Sequence, residues 1–411
     1  MNVLFLAIIS AMVIVGVLQP IFSSHASAKA FIESKKAYIL SNSASEEALY
    51  RLKTNKILGS SSSITLSSST ATITVTTTAA GKDIVITAPT NTYQRNIKLS
   101  LSLGTGISFH YGIQSGMGGF SLMNSSSIVG NVFSSGPITG SGNYIYGDVV
   151  SSGPSGLING IHATGTAFAH TIQGSTIDKD AYYTVRTTTT VSGISYPGSA
   201  DQLDEALPIS DAQISEWEGF AAAGGTATCS GGTYTIDTTT TVGPIKIPCD
   251  LLIKGSPTVT IAGPLWVTGN ITTQNSPTIK ISSSLGVQNV AIIADNPSNR
   301  LTSSIISLGQ STGFQNSGTT GSFVFMISQN NSAENGGSVE AIDVGQSSTA
   351  LVAYAGHGLI SLGQSVSLKE ATGYRIELRN SASVKYDTGL ANTLFSSGPG
   401  GGYERIEWRE I

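Results

Sequence analysis

The chain has 411 residues, only 11% of them charged against the quarter or so usual in soluble globular proteins, and its formal net charge is −4. Gly contributes 47 residues and Ser, Thr and Asn fill much of the remainder, a mixture that loses to long straight side chains in helices. With 40% hydrophobic residues the chain is too apolar for a disordered linker, and without a basic surplus it has no electrostatic footprint for nucleic acid.

From Val3 to Phe22 there is no charge, and only Ser10, Gly16, Gln19 and Pro20 interrupt the apolar run. As a helix, such a run rises about 30 Å, the hydrocarbon thickness of a bilayer. It reads either as a secretory signal cut after Ala26-Ser27-Ala28 or as a retained anchor. The second reading explains more. Ala26 to Lys56 holds no Gly or Pro, and Phe31, Ala37, Tyr38, Ala44, Ala48, Leu49 and Leu52 keep a helical stripe. Pro20 kinks such a helix without ending it. Residues 1–57 are therefore expected to form one long transmembrane helix that continues outward. Lys29, Lys35, Lys36, Arg51, Lys53 and Lys56 follow the apolar run, which by charge alone favours a cytoplasmic C-terminus. Composition and the two cysteines favour export, and a basic leader upstream of this start would reconcile the two.

The helix runs into Ser43-Ala44-Ser45-Glu46-Glu47-Ala48-Leu49-Tyr50-Arg51-Leu52. An apolar N-terminal helix followed by such a small-residue, Glu, Ala-Leu stretch resembles the N-terminal module of PilX-like pilus-assembly proteins, over roughly residues 1–56. The resemblance implies a pilus-associated, minor pilin-like protein whose helix packs in a filament core or membrane. Its partners would be the membrane, pilins or other envelope proteins. Its place would be the bacterial cell envelope, as a single-pass protein with an extracytoplasmic β domain.

Beyond Ser60 the period changes from helical to alternating. Ile73 and Val75 alternate with Thr, and Ile97, Leu99, Leu101 and Leu103 alternate with polar residues, as in half-buried strands. Residues 58–122 read as a β lead-in. Self-similarity follows. Ile128 to Pro137 recurs as Ile145 to Pro154, 17 residues on, and Ser256 to Ile261 recurs as Ser276 to Ile281 at an offset of 20. Ile306-Ser307-Leu308-Gly309-Gln310-Ser311 returns at Ile342, Ile360 and loosely Ile376, at offsets of 36, 18 and 16. A repeat near 18 residues with apolar positions two apart reads as one rung of a β-solenoid, with Gly and Asn at corners of positive φ. The fold class expected is thus mainly β, a long N-terminal α-helix followed by a β-solenoid with one inserted helix. Sections of it fall at 123–195 and 251–397, with a helical insert and Cys-bounded loop at 196–250 between them.

Ser210 to Ala223 carries the helix signals of that insert: Ser210 with Gln213 as a capping box, Pro208 just before, and Gly224-Gly225 after. Trp217 and Phe220 are expected to dock it on the solenoid. Cys229 and Cys249 have no metal-ligand spacing, and in an exported chain they are expected to pair, closing a loop of about 20 residues worth roughly 3 kcal/mol. After Gly398 to Gly402, residues 398–411 alternate around Ile406 and Trp408 and read as a strand capping a solenoid edge.

Catalysis has little to stand on. A glycosidase needs two carboxylates about 5–9 Å apart, and the closest pair is Asp178 and Asp180, which would share one face of a strand or simply sit in a solvated turn. Asp343 should point outward, isolated. His25, His110, His162, His170 and His357 show no metal spacing, although His162 and His170 could meet across a rung. No G-x-S-x-G elbow with a strand and a helix around it occurs, and the glycine clusters lack the Lys-Ser/Thr of a phosphate loop. We expect no catalytic, cofactor-binding or metal-binding residues, and hence a structural or adhesive surface protein with a polar Ser/Thr/Asn face suited to surface glycans. The competing readings are a secreted carbohydrate-active β-helix enzyme and a polymer-forming scaffold resembling bactofilins.

Overall fold

The computed structural model describes residues 2–53, 61–66, 69–78, 81–103, 109–309, 311–345, 351–392 and 403–411. The chain is mainly β and forms two compact units, residues 1–104 with 402–411, and residues 105–401.

The first unit begins with α1 (Asn2–Lys53), which runs through Pro20 unbroken and at 1.5 Å per residue is about 78 Å long. Four antiparallel strands follow as a meander: β1 (Ser61–Leu66), β2 (Ser69–Thr78), β3 (Gly81–Pro89) and β4 (Gln94–Leu103). Ile73, Ile86 and Ile97 sit side by side across β2, β3 and β4, as do Ile84 and Leu99 across the last two. These side chains are buried against Leu40, Ala44 and Ala48 of the helix. The buried helix positions Glu33, Ala37, Leu40, Ala44 and Ala48 follow the 3.6-residue period. Small Ala residues let the sheet approach closely, so the larger Phe31 and Tyr38 of the expected stripe are left on the exposed flank. Residues 21–29, 31 and 32 are exposed, and the helix packs on its own unit from Glu33 onward. Among the described residues no helix is long and apolar enough to cross a membrane. The apolar run behind that expectation lies, apart from Met12, Ile21 and Phe22, at side chains outside the described set.

The C-terminal strand, Tyr403–Glu410, pairs antiparallel with β4, Trp408 opposite Leu99. This corrects the expectation that it caps a solenoid edge. Its partner is the open side of an antiparallel meander.

The second unit is built of parallel strands stacked rung on rung. In one part Ile113, Val132, Val149, Ala167, Ala181 and Ser195 lie in one register, 14 to 19 residues apart. In the other, Leu265, Ile292, Met326, Ala353 and Ala371 do the same. The two parts meet out of chain order: Ala371 pairs with Ile113 and Val384 with Ile128, so the last rung of the chain is the neighbour of the first. The inward Ile, Val, Leu and Ala side chains form one continuous core.

The expected β-solenoid needs correction here. Strands long enough to turn a corner carry the pairing from one face to the next. Ile113–Leu122 pairs with Val132–Ser134 through its start and with Ile138–Tyr146 through its end. Ala167–Gln173 likewise pairs with Val149–Ser151 and Leu157–Ala163. With the remaining pairings, six parallel strands close into a barrel-like ring instead of an open succession. The offset of 36 is also one enlarged rung and not two, because Ile306 pairs directly with Ile342.

Between the two parts the chain returns along the outside of the stack in segment 198–210. It is held by Gln202 O, which accepts from Gly153 N, by Ala206 O, which accepts from Gln114 Nε2, and by Ile209 O, which accepts from the Tyr354 hydroxyl. The helix α2 (Asp211–Ala223) follows. Ser210 caps it: its hydroxyl accepts from Gln213 N at 3.3 Å while Gln213 Oε1 accepts from Ser210 N at 2.9 Å. Ile214 and Trp217 join Ala291, Ile293, Phe325 and Ile327 in a second buried cluster, and Ala221 is buried one turn further along α2. Phe220, expected to dock beside Trp217, is 42% exposed, because the burying positions run 214, 217, 221. Cys229 and Cys249 form a disulfide with Cα atoms 6.4 Å apart.

Candidate functional site

In a parallel stack each outward side chain lies about 4.8 Å from its equivalent on the next strand, so a row of equivalents becomes a ladder. Three such rows run along the second unit.

The first row is polar. Thr235, Thr272, Ser307, Asp343, Ser361 and Glu377 continue into Ser121, Thr139, Asn159, Gln173 and Thr187; Leu252 between Thr235 and Thr272 is apolar, and Ser361 is buried. At strand spacing the row is about 50 Å long. Its charges sit together near the middle. Arg379 pairs with Glu340, and Arg375 reaches Glu377 at 3.4 Å. Burial and then Glu340 push the Asp343 carboxyl above the ordinary aspartate range, against the pull of Arg379. Asp343 thus points outward as expected, but among other charges and not isolated.

The second row is largely apolar and mostly covered. Ile293, Ile327 and Tyr354 lie beneath α2 and segment 198–210 with Trp266 at their margin, and after Thr372 and Gln114 the row continues through Phe133 to a stack of rings. In that stack Phe168 and Tyr182 are 4.7 Å apart and Tyr182 and Tyr196 4.4 Å apart, nearly parallel. Beneath the same cover lies Glu370, wholly buried. Burial holds its carboxyl well above the usual range despite a hydrogen bond from Thr372. The third row carries Ser127, Tyr144, His162 and Thr176, with Tyr144 stacked on His162 at 4.4 Å.

Ionisable groups gather where α2 meets the stack. Arg300 binds the buried Asp295 through two bonds of 2.8 and 2.7 Å. Glu218 of α2 lies beside that pair, and burial first and Asp295 second push its carboxyl up to about 8. At the start of α2, His357 lies between Asp211 (3.1 Å) and Glu334 (2.7 Å). Burial opposes its charge, but the two acids outweigh burial and raise its pKa. These groups tie the helix to the stack. Glu218 and Asp295 are buried, so the pair is closed to a large substrate.

The residues singled out in the sequence are spread apart. Asp178 Oδ1 accepts from His162 Nε2 at 2.8 Å, whereas Asp180 Oδ1 accepts the backbone N–H of Ile194 at 2.8 Å. They form no facing carboxylate pair. His170 is paired with Asp201 at 3.0 Å, so it and His162 serve different acids, and His25 is exposed on α1. The part of Asp180 is shared by other corner residues: Asp148 Oδ1 accepts from Thr166 N, and Asp250 Oδ1 accepts from Asn270 N. Each acceptor faces a glycine, Gly165, Gly193 or Gly269, where a Cβ would collide with the carboxylate. A Gly placed just before the receiving residue, one rung after each Asp, is the sequence signal of this device. Among the described residues no group of three or more His, Cys, Asp or Glu side chains is placed to hold a metal ion.

No family model and no curated protein matches the chain. Among solved structures it is similar to the competence-associated pilin ComZ from Thermus thermophilus, at 9% identity and a TM-score of 0.39, over 92% of this chain and 97% of that one. A slighter similarity, 11% identity and a TM-score of 0.12, is to an ice binding protein from an Antarctic bacterium Flavobacteriaceae, over 67% of this chain and 81% of that one. Neither likeness is strong enough for a shared fold or role to follow from it.

Proposed function

We propose that this chain is a non-catalytic, pilus-associated envelope protein that carries its parallel β stack outside the cell as a rigid, adhesive module, anchored by α1 in the membrane or filament. The observation that carries the adhesive reading is the first row: hydroxyl, amide and carboxyl groups repeated at strand spacing over about 50 Å. Such a row offers many modest hydrogen bonds, which add up on a repeating surface such as a glycan. The anchoring reading draws on the likeness of residues 1–56 to PilX-like modules and on a helix whose residues 21–29 are exposed ahead of the turns that pack on its own unit.

Two measurements test it. Cells are separated into sheared-filament, membrane and fluid fractions and the mature N-terminus is determined by mass spectrometry. Retention of the apolar run in the filament or membrane fraction is expected, and a soluble form beginning at Lys29 would end the pilus reading. Retention of the protein on a broad glycan panel without release of sugar is expected for the adhesive reading, and turnover of any glycan would replace it with an enzyme.

A further inference from the structure

The centre of the first row holds polar groups that the protein itself leaves without partners. Asp343, Ser361 and Glu377 lie side by side on three adjacent strands, with Ser361 in the middle. Its neighbours Ile360 and Leu362 point into the core, so the Ser361 hydroxyl points out along the row. That side chain is nevertheless wholly buried, and its Oγ has no hydrogen-bond partner among the described residues. The buried Nε of Arg375, two positions before Glu377, has none either. Asp343 is half-buried and makes no hydrogen bond or ion pair among the described residues. Buried polar groups are nearly always paired, so two partnerless atoms beside a free carboxylate point to partners that come from outside the chain.

The Arg379–Glu340 pair lies across this spot. Glu340 is in register with Leu359 and Arg375, four residues short of Arg379. The two side chains therefore meet only by reaching diagonally over the strand that carries Ser361. They are 42% and 29% exposed, and an ion pair so open to water is weak enough to swing aside. Beneath it Leu359, buried between Glu340 and Arg375, supplies an apolar floor. The charges here are three carboxylates and two guanidinium groups. Arg379 is taken by Glu340 and Arg375 faces Glu377 at 3.4 Å, so the uncompensated charge is negative and sits at Asp343.

We propose that the centre of the row is a subsite for one neutral sugar residue of a glycan, whose adjacent hydroxyls donate to the Asp343 carboxylate, accept from Arg375 Nε and bond Ser361 Oγ once the Arg379–Glu340 pair swings aside. A sugar hydroxyl both donates and accepts, which matches one acceptor, one donor and one group that is both. An acidic sugar would set its own carboxylate against Asp343 and find both arginines engaged. The subsite rests on the adhesive reading and deepens it: affinity stays spread along the row, and the centre chooses the sugar.

The test measures retention of the full chain in detergent on matched polymers: mannan and polymannuronate, galactan and polygalacturonate, cellulose and polyglucuronate. Each pair shares the configuration of its ring hydroxyls and differs in a hydroxymethyl group or a carboxylate. In at least one pair the neutral member is expected to retain the protein about tenfold more strongly, and Asp343→Asn to narrow that gap by raising retention on the acidic one. Ser361→Ala should weaken retention on the neutral member about fivefold with the melting temperature unchanged, because the hydroxyl has no partner to lose in the free protein. Thr139→Ala, elsewhere on the row, should weaken both members of a pair alike. Stronger retention on the acidic member overturns the subsite and leaves adhesion standing. So does retention untouched by Ser361→Ala, which would mean that the hydroxyl meets water only. Retention on none of these polymers overturns the subsite as well, and the broad glycan panel then decides the adhesive reading by itself.

Discussion

Glu218 keeps a proton in the folded protein that the unfolded chain gives up above about pH 4.5, because burial and the neighbouring Asp295 lift its pKa to about 8. Below pH 4.5 both states are protonated and the group has no effect. Between pH 4.5 and 8 only the native state holds the proton, so stability falls as pH rises and levels off above that window. His357 adds to this slope: its folded pKa is raised, so its stabilisation is present in acid and lost as pH rises through the folded value. Thermal melts from pH 5 to 9 should show the midpoint dropping. Glu218→Gln should flatten the curve in part and stabilise the protein at pH 8 by about 1–3 kcal/mol. An unchanged slope in that variant would mean the carboxyl is ionised in the fold. A second residue-scale test sits at the corners. Gly269→Ala, which drives a methyl into the Asp250 carboxylate that holds Asn270 N, should lose about 1–3 kcal/mol. Gly219→Ala, in the middle of α2 with open space around it, should gain up to about 1 kcal/mol in the same denaturant titration.

The elements owe their legibility to local chemistry. The capping box Ser210/Gln213 placed the start of α2 because both of its hydrogen bonds are made within one turn of chain. Which face of α2 is buried was less legible, since 217 and 220 and 217 and 221 are equally good helical neighbours. The row of Ile and Phe side chains below it decides for Ile214, Trp217 and Ala221. The same holds for the C-terminal strand, whose alternation announced a strand but not its partner. Because α2 and segment 198–210 together cover that row, removing the largest side chain between them should free both. Trp217→Ala is expected to lose about 3–5 kcal/mol and to make the bonds within 198–210 cleavable by limited proteolysis under native conditions. Cleavage confined to the loops around 300 and 335 would show that the segment is held by its own hydrogen bonds instead.

At the scale of the whole molecule the repeats fix the rung, but no local pattern states which rung stacks on which. Ala371 beside Ile113 is a pairing between distant parts of the chain, made possible by the return of segment 198–210 along the stack, and nothing near either residue encodes it. The six-strand ring and the single enlarged rung from Ile306 to Ile342 escaped the sequence for the same reason, since spacing alone does not tell one long rung from two short ones. The polar row is a consequence of that stacking: Glu377 meets Ser121 only because the two parts join. It leads to a test of how the molecule would bind. If adhesion is shared along the row, no single residue carries it, and each hydrogen bond contributes about 1 kcal/mol. Asn159→Ala alone should then weaken retention on a glycan-coated surface by about fivefold at most. The triple variant with Thr139→Ala, Asn159→Ala and Gln173→Ala, on three adjacent strands, should weaken it by about a hundredfold. A single substitution that abolishes retention, with the melting temperature unchanged, would instead place binding in one compact pocket.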